Sequence, residues 1–248
     1  MEACCGTFKY EGNRIRLSKE SGRASQHPRR LLSQNDYIFG DDGLVGDFNG
    51  LYRDFEDPWE QTSVFDSGDS RRSLALNYCE KVSSEFEDRG SVKILEIGCG
   101  FGHLTEGLRV AGFSSVGVDI SSEAIKKACA KHPESVFFER EISDVLLLEE
   151  FEPDIIIMSE VTWYVLNNLH GFMGRLAEFA DSRARPTWVI HLLSMYPPDI
   201  QKYGREFFTD LNGVLEYFNL DYIEAGYVAP RPTGELVHEQ SFFFREST

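Results

Sequence analysis

Basic residues are scarce in this chain. Only 25 lysines and arginines stand against 41 aspartates and glutamates among 248 residues, which gives a formal net charge of −16. Because contacts to phosphate groups need clustered basic side chains, this composition argues against broad binding to nucleic acid or to an anionic membrane. A small anionic substrate held by one or two arginines is still compatible with the composition.

Paired cysteines and long apolar runs are also lacking. The five cysteines are scattered and odd in number, with no Cys-x-x-Cys spacing, so no disulfide framework or zinc site is indicated. No apolar run approaches the ~20 residues of a membrane span, and the N-terminus lacks the basic and apolar regions of a secretory signal. We therefore expect a cytoplasmic protein that requires no metal.

The most informative segment runs from Val92 to Glu106. An apolar stretch meets Glu96, glycine follows at positions 98, 100 and 102, and an amphipathic stretch then begins. This order is typical of a buried strand, a tight turn and a helix N-terminus, where glycine lets the backbone approach a ligand. The dinucleotide fingerprint would need glycine at position 103, where this chain has histidine.

The spacing Glu-x-Gly-x-Gly-x-Gly resembles that of class I S-adenosylmethionine (SAM) methyltransferases, and the resemblance covers roughly residues 90–248. It implies SAM as the cofactor and S-adenosylhomocysteine (SAH) as the product. In that family the glycine turn lies under the methionine moiety and the acid contacts its ammonium group. The corresponding residues here are Glu96, Gly98, Cys99, Gly100, Gly102 and, at the helix start, His103.

Two further acidic positions extend the resemblance. Asp119 ends the second expected strand and is followed by Ile120, and its carboxylate can accept hydrogen bonds from both ribose hydroxyls. After the third strand the family usually has an acid that accepts from the adenine amino group, followed by an apolar residue. Glu141 with Ile142 is the first choice for these roles and Asp144 the second, although a solvated charged loop is the alternative for each acid.

The fourth strand ends at a third group of candidates. Glu160 is followed by Trp163 and Tyr164, in a position where ligands meet the carboxyl ends of parallel strands. An acid followed by aromatics resembles the corresponding segment of the NodS-like branch, which N-methylates an amino sugar of a chito-oligosaccharide. The stretch from Asp57 to Glu60 resembles the N-terminal region of the same branch. The alternative is that both aromatics are core residues.

The expected roles follow from these positions. Tyr164 would orient the nucleophile, Glu160 would contact SAM or the substrate, and His191 is a candidate base, unless it is a structural histidine. Aromatic side chains expected to form the substrate pocket are Trp59, Trp163, Tyr164, Tyr196 and Tyr203, and Arg71 or Arg205 could hold an anionic group.

Strands alternating with helices predict an α/β fold with a doubly wound, mostly parallel seven-stranded sheet, helices on both faces and an antiparallel last strand. The expected strands are 92–97, 115–119, 136–139, 154–159, 188–193, 221–229 and 240–245. The expected helices are 71–86, 103–111, 121–131, 165–180 and 209–219, the last capped by Thr209. Residues 1–45 are expected to form a flexible polar extension or a lid, 46–90 a helical and aromatic lid segment, and 91–248 the SAM-binding domain.

These observations favour an enzyme that transfers a methyl group to a nitrogen or oxygen atom of a small polar metabolite, such as an amino sugar or another sugar. The lack of a histidine beside Tyr164 favours nitrogen, because a neutral amine needs no strong base. The alternatives are a methyltransferase fold kept as a scaffold without turnover, and a protein methyltransferase. The sequence carries no signal for an oligomeric state.

Overall fold

Seven strands form the central sheet of the computed structural model, which describes residues 33–40, 43–62, 70–196, 201, 203–218, 222–228 and 238–245. A two-stranded hairpin precedes them, β1 (Phe39–Gly40) and β2 (Gly43–Leu44). The sheet strands are β3 (Lys93–Ile97), β4 (Ser114–Asp119), β5 (Val136–Glu139), β6 (Ile155–Ser159), β7 (Trp188–Met195), β8 (Tyr222–Val228) and β9 (His238–Arg245).

The strand order is β5-β4-β3-β6-β7-β9-β8. The first five strands pair in parallel, whereas β9 is antiparallel to both β7 and β8. The chain starts at β3 near the middle, proceeds to β5, and then crosses back to β6. This reversal opens a crevice at the carboxyl ends of β3 and β6, where ligands of doubly wound folds bind. The predicted doubly wound, mostly parallel architecture is confirmed.

Helices cover both faces of the sheet. They are α1 (Gln34–Ile38), α2 (Phe48–Asp54), α3 (Ser70–Ser83), α4 (His103–Val110), α5 (Ser122–Lys131), α6 (Leu147–Phe151), α7 (Thr162–Asp181) and α8 (Leu211–Phe218). Ser121 caps α5 as predicted, because its hydroxyl accepts from the backbone N–H of Ala124 at 3.1 Å. The predicted cap of α8 is wrong: the carboxylate of Asp210, rather than Thr209, accepts from the backbone N–H of Gly213 at 2.9 Å.

The sheet is buried on both sides, which explains why its central strands are continuous apolar runs rather than alternating ones. Side chains of α7 and α8 pack on one face, and those of α3 and α4 pack on the other. Every residue of β7 is buried. The rigid layer formed in this way fixes the strand ends from which the candidate site is built.

The N-terminal part packs beside the crevice. Within the segment expected to be an extension, α1 and the hairpin form a small cluster with α2, in which Tyr37, Ile38 and Leu51 are buried. Residues 1–32 lie outside the described residues. The division of the chain at residues 45 and 90 therefore stays a prediction.

Candidate active site

A cavity of about 420 Å³ lies at the carboxyl ends of β3, β4 and β6. The glycine turn and the acids of β3 and β4 line one end, and aromatic side chains from α2, the loop after it and α7 line the other. The sequence-predicted residues on its wall are Trp59, Glu96, Gly98, Cys99, His103, Asp119, Ile120, Glu141, Ile142, Glu160, Trp163, Tyr164 and Tyr196.

The glycine turn needs its glycines for two reasons. Gly98, Gly100 and Gly102 all have left-handed φ values of 74°, 53° and 74°, which side chains with a Cβ rarely adopt. A Cβ on Gly98 would also lie 2.4 Å from a methyl group of Val161, and one on Gly100 would lie 2.6 Å from the amide group of Gln61. Glycine at these two positions therefore permits the left-handed turn and leaves room for the side chains of Val161 and Gln61 to pack against its backbone.

Gly102 has a different function from the other two glycines. A Cβ there would lie 2.3 Å from the ring of Phe137, which is on β5, so this glycine lets α4 pack closely on the sheet. His103, the first residue of α4, lines the cavity, and its Nδ1 lies 3.2 Å from Nε2 of His132. His103 therefore lies beside the glycine turn, and its role in cofactor binding stays a prediction.

Glu96 is an almost fully buried acid at this end. Its carboxylate accepts a hydrogen bond from the hydroxyl of Thr105 on α4. Burial raises the pKa of Glu96 to about 7, although the hydrogen bonds from Thr105 counteract part of this effect and the charge of Asp119 adds to it. A cation placed beside Glu96 would stabilise its ionised form, so the site is suited to an ammonium group.

Asp119 holds the turn and faces the same cavity. Its Oδ2 accepts from the backbone N–H of Gly100 at 3.0 Å, and its Oδ1 accepts from that of Ser121 at 2.9 Å. Burial raises the pKa of Asp119 and these two hydrogen bonds lower it. Since each carboxylate oxygen has two lone pairs, both can accept a further hydrogen bond from a ligand hydroxyl.

The side of the cavity beyond Asp119 carries the candidates for adenine binding. Glu141 and Ile142 line the cavity, and the amide of Asn168 donates to Glu141 at 3.4 Å. Asp144 lies outside it, on a smaller neighbouring cavity, with its carboxylate 3.5 Å from Nε of Arg140. The geometry therefore favours Glu141 over Asp144, in line with the preference drawn from the sequence.

Aromatic rings form the opposite end. The ring of Tyr164 lies between those of Phe48 and Trp59, with centroid distances of 5.6 and 5.3 Å. Trp163 is almost buried, and its indole N–H donates to the carbonyl oxygen of Ser194 at 3.0 Å. Burial raises the pKa of Tyr164 well above its usual value, so its hydroxyl stays protonated and acts through hydrogen bonds.

Glu160 is the acid of the aromatic end. It follows β6 in a left-handed conformation with φ 58°, which is uncommon for a residue with a side chain. Its Oε1 accepts from the Ser194 hydroxyl at 3.0 Å and lies 3.4 Å from Nη1 of Arg71. Burial raises the pKa of Glu160, whereas Arg71 and Ser194 lower it. The pKa of Glu160 is raised on balance, because the effect of burial is larger than that of its two partners.

Among the candidate catalytic and aromatic substrate-binding residues, His191 and Tyr203 do not line the cavity, and neither do Gly100 and Gly102 of the glycine turn. His191 was expected near the end of its strand, but β7 continues to Met195, so His191 sits inside the sheet, completely buried. Its Nε2 lies 2.6 Å from the hydroxyl of Thr162, and burial lowers its pKa to about 3. This geometry favours the alternative that the sequence left open, in which His191 is a structural histidine. Tyr203 packs on Phe39, at a centroid distance of 5.1 Å, and does not line the cavity.

Sequence reasoning missed most of the residues by which the N-terminal segment contacts the sheet domain. The side-chain amide oxygen of Gln61 accepts a hydrogen bond from the backbone N–H of Phe101 at 3.2 Å. The amide oxygen of Asn49 accepts from the first turn of α5, and Nζ of Lys127 donates to the carbonyl of Phe55 at 2.9 Å. The sequence feature that pointed to these contacts is the high density of aromatic residues between positions 46 and 66. These contacts hold α2 and the following loop over the glycine turn.

Two kinds of feature are absent from the described residues. No group of three or more His, Cys, Asp or Glu side chains there is arranged to hold a metal ion. No helix in that part of the chain is long and apolar enough to cross a membrane.

Comparison with known proteins gives a consistent result. A family model described as a methyltransferase domain matches residues 70–194. The chain is similar in structure to the N-methyltransferase NodS from Bradyrhizobium japonicum WM9, solved with SAH, with a TM-score of 0.55 and 16% identity over 81% of this chain and 98% of NodS. No curated protein matches the chain.

Two further structures share the fold. Magnesium protoporphyrin IX methyltransferase from Synechocystis PCC 6803, solved with SAM, has a TM-score of 0.50 and 15% identity, over 89% of this chain and all of that chain (100%). The bifunctional kinase-methyltransferase WbdD has a TM-score of 0.53 and 20% identity, over 70% of this chain and 39% of that chain. At these identities the similarity is evidence for the fold and leaves the acceptor open.

Proposed function

Because the chain belongs to the methyltransferase-domain family and is a SAM-dependent methyltransferase, we propose that it methylates a nitrogen or oxygen atom of a small polar metabolite. An amino sugar or another sugar is the first class to test. The observation that carries this proposal is the union of an acid-lined cofactor end and an aromatic end in one cavity of about 420 Å³. Cavities of about 300–1,000 Å³ are ordinary for small-molecule sites.

The residues present fit SAM. Glu96 would bind its ammonium group, Asp119 its ribose hydroxyls, and Glu141 with Ile142 its adenine, while Gly98 lets the chain approach the methionine moiety. Bound SAM supplies an electrophilic methyl group on a sulfonium. The protein itself must align the acceptor with that methyl group and exclude water, and Gln61 with Trp59 covers the site for this purpose.

The aromatic end determines the acceptor chemistry. The rings of Phe48, Trp59 and Tyr164 offer flat apolar faces, on which a compact acceptor can stack. Glu160 is the carboxylate among these rings, so it would accept a hydrogen bond from the N–H or O–H of the acceptor. A neutral amine needs no base before it reacts, whereas a hydroxyl would pass its proton to Glu160. We favour an amine, because Tyr164 is protonated and His191 lies outside the cavity.

NodS, to which the chain is similar in structure, is described as an N-methyltransferase. Amines are therefore the first acceptors to test. A protein substrate is less suited to this site, because a peptide would need an extended groove rather than a compact aromatic end. Each acceptor should be tested as a matched pair, an amino sugar beside the parent sugar with a hydroxyl at the same carbon. Methylation of the amino member alone supports nitrogen transfer, and methylation of both members assigns oxygen.

The cofactor site is tested first. SAM and SAH are titrated calorimetrically into the wild type, Asp119→Ala and the control Asp181→Ala, which changes an exposed acid at the end of α7. We expect micromolar binding by the wild type and by the control, and a loss of about 10- to 100-fold in Asp119→Ala, as for a hydrogen-bonded charged group. A well-folded wild type that binds neither ligand would overturn the proposal, and SAM binding without turnover across the acceptor classes would favour the scaffold role.

A further inference from the structure

An ion pair crosses the acceptor end of the cavity. Nη1 of Arg71, in the first turn of α3, lies 3.4 Å from Oε1 of Glu160. The two side chains are only 20% and 30% exposed, and both line the cavity. Exposed ion pairs contribute little to stability, but a pair inside a binding cavity places a cation and an anion where a ligand will meet them.

The carboxylate is held in this place by the backbone as well. Glu160 is left-handed, and its N–H donates to the carbonyl of Leu192 on β7 at 2.8 Å. Ser194, also on β7, donates its hydroxyl to the same carboxylate. A non-glycine residue in this conformation costs free energy, and such costs cluster at functional sites. The geometry thus directs an acid toward the aromatic rings at some expense of stability.

The other two arginines among the described lining residues lie beside other elements of the fold. Arg140 contacts the carboxylates of Glu150 and Asp144 beside the adenine side, and the guanidinium of Arg72 lies over Gly107 of α4, where an added Cβ would be 2.8 Å from its Nη2. Among the described lining residues, Arg71 is therefore the cation that lies beside Glu160 at the aromatic end of the cavity. A guanidinium can bind more than one oxyanion at the same time, because it carries five N–H donors in one plane.

We propose that the methyl acceptor carries an oxyanion, a carboxylate or a phosphate, which binds the Arg71 guanidinium while the acceptor's N–H or O–H faces Glu160. The inference rests on the proposed function and narrows its substrate class. A guanidinium binds planar oxyanions through two parallel charge-assisted hydrogen bonds, which fixes both position and orientation. The substrate anion would share Arg71 with Glu160 and so loosen the ion pair.

The proposed methyl transfer is a direct displacement at the methyl carbon. The acceptor nitrogen or oxygen attacks the methyl carbon, the carbon–sulfur bond breaks with its electron pair left on sulfur as a thioether, and the acceptor's proton passes to Glu160 and on to water. Arg71 takes no part in the bond changes. It is a positioning residue, whose loss should weaken substrate binding much more than it weakens binding of the cofactor.

The test uses small probes of one shape. Benzoate, phenyl phosphate and the neutral benzamide are titrated by ligand-observed NMR into the SAH-loaded wild type, Arg71→Ala, Arg71→Lys and the control Arg205→Ala, an exposed arginine that does not line the cavity. We expect the wild type and the control to bind at least one anion tenfold or more tightly than benzamide. Arg71→Ala should lose this preference and Arg71→Lys should retain part of it, and the better anion identifies the oxyanion.

Equal binding of benzamide and both anions by the wild type would overturn the inference, as would an anion preference that survives in Arg71→Ala. SAH affinity, measured for each variant, separates a folding defect from a lost contact; if Arg71→Ala unfolds, Arg71→Gln replaces it. Should the wild type fail to bind SAH, the proposed function fails, and the probes are then compared on the protein alone. Once an acceptor is known, an analogue that lacks its oxyanion should have a KM at least tenfold higher with little change in kcat. Methylation of the oxyanion itself would contradict the role of Arg71 as a positioning residue.

Discussion

The imidazole Nε2 of His191 lies 2.6 Å from the hydroxyl oxygen of Thr162, so that the middle of β7 is joined to the first turn of α7. Both residues are completely buried, and the ring of Phe218 lies 4.7 Å from the imidazole. This contact fixes the start of the helix that carries Trp163 and Tyr164. His191 thereby supports the aromatic wall without reaching the cavity.

Replacing His191 should affect stability rather than the chemical step. In His191→Leu the Thr162 hydroxyl loses its partner, which should lower the free energy of unfolding by about 1–3 kcal/mol. We expect kcat to stay within a few-fold of the wild type and the pH–rate profile to keep its shape. Denaturant unfolding and steady-state kinetics check this, and a kcat loss of 100-fold or more with unchanged SAH affinity would restore His191 as a base.

The pH dependence of stability gives an independent check on His191. Its pKa is about 3 in the folded protein and 6.5 for the free side chain, so the unfolded chain binds the proton more readily between these values. The contribution of His191 is present above pH 6.5 and is lost as the pH falls toward 3. The stability difference between wild type and His191→Leu should therefore narrow on acidification.

Glu96 should make cofactor binding depend on pH. With a pKa of about 7, it is protonated below neutrality and loses the charge that would face the ammonium group. We expect SAH affinity to fall by up to about tenfold per pH unit between pH 7 and 5, and Glu96→Gln to bind more weakly at pH 8 with a flatter profile. Methylthioadenosine, which lacks the amino-acid end, is the control ligand and should bind equally well across this range.

The same residue should also affect stability in the absence of cofactor. Because the folded pKa of Glu96 is raised from 4.5 to about 7, its contribution is fully present below pH 4.5 and is lost as the pH rises through 7. The wild type should therefore lose stability relative to Glu96→Gln over this interval. Thermal unfolding at pH 5 and pH 8 measures the difference, and a constant gap would contradict the burial of an ionisable acid.

Gly102→Ala should destabilise the protein through packing. The new methyl group would meet the Phe137 ring, and the left-handed φ of 74° adds strain, for a total cost of about 1–3 kcal/mol or more. Adding Phe137→Leu should recover part of the loss. Gly174→Ala is the control, because nothing lies within 4 Å of its added Cβ on α7, and there alanine should be neutral or slightly stabilising.

Asn49 should control how tightly the N-terminal segment covers the cofactor. Its amide oxygen accepts from the hydroxyls of Ser121 and Ser122 and from the backbone N–H of Glu123, at 3.0, 3.1 and 3.3 Å. At about 1 kcal/mol for a typical hydrogen bond, Asn49→Ala should weaken SAH binding about three- to tenfold. Hydrogen exchange of α2 should speed up in this variant and stay unchanged in Asn212→Ala, an exposed control on α8. Unchanged exchange in Asn49→Ala would contradict the role.

The local part of the site could be predicted from the sequence because it is encoded by neighbours along the chain. The glycine turn, Glu96 and Asp119 lie on consecutive strand ends, and parallel strands bring such ends to one edge of the sheet. The contact between Arg71 and Glu160 could not be predicted in the same way. It joins residues 89 positions apart through the packing of α3, which leaves no local pattern.

The errors have similar causes. The predicted strand at residues 188–193 is two residues too short, because β7 continues to Met195. His191 therefore lies four residues before the strand end, not two. The helix expected from Val165 begins at Thr162, which places Trp163 and Tyr164 in its first turn. Both shifts are small along the chain. They matter because ligands of a parallel sheet meet the carboxyl ends of its strands, and His191 lies four residues before the end of β7.

The position of β9 between β7 and β8 dictates the order in which the protein can be completed. Until β9 is present, β7 is an open edge of the sheet and β8 has no partner among the described strands. The cofactor end is built from the middle of the chain and can assemble earlier during synthesis. If synthesis stops before His238, β7 is left as an exposed edge strand, although all of its side chains are buried in the complete protein. Such an edge can pair with another chain, so the truncated product should aggregate rather than act as a partly active enzyme.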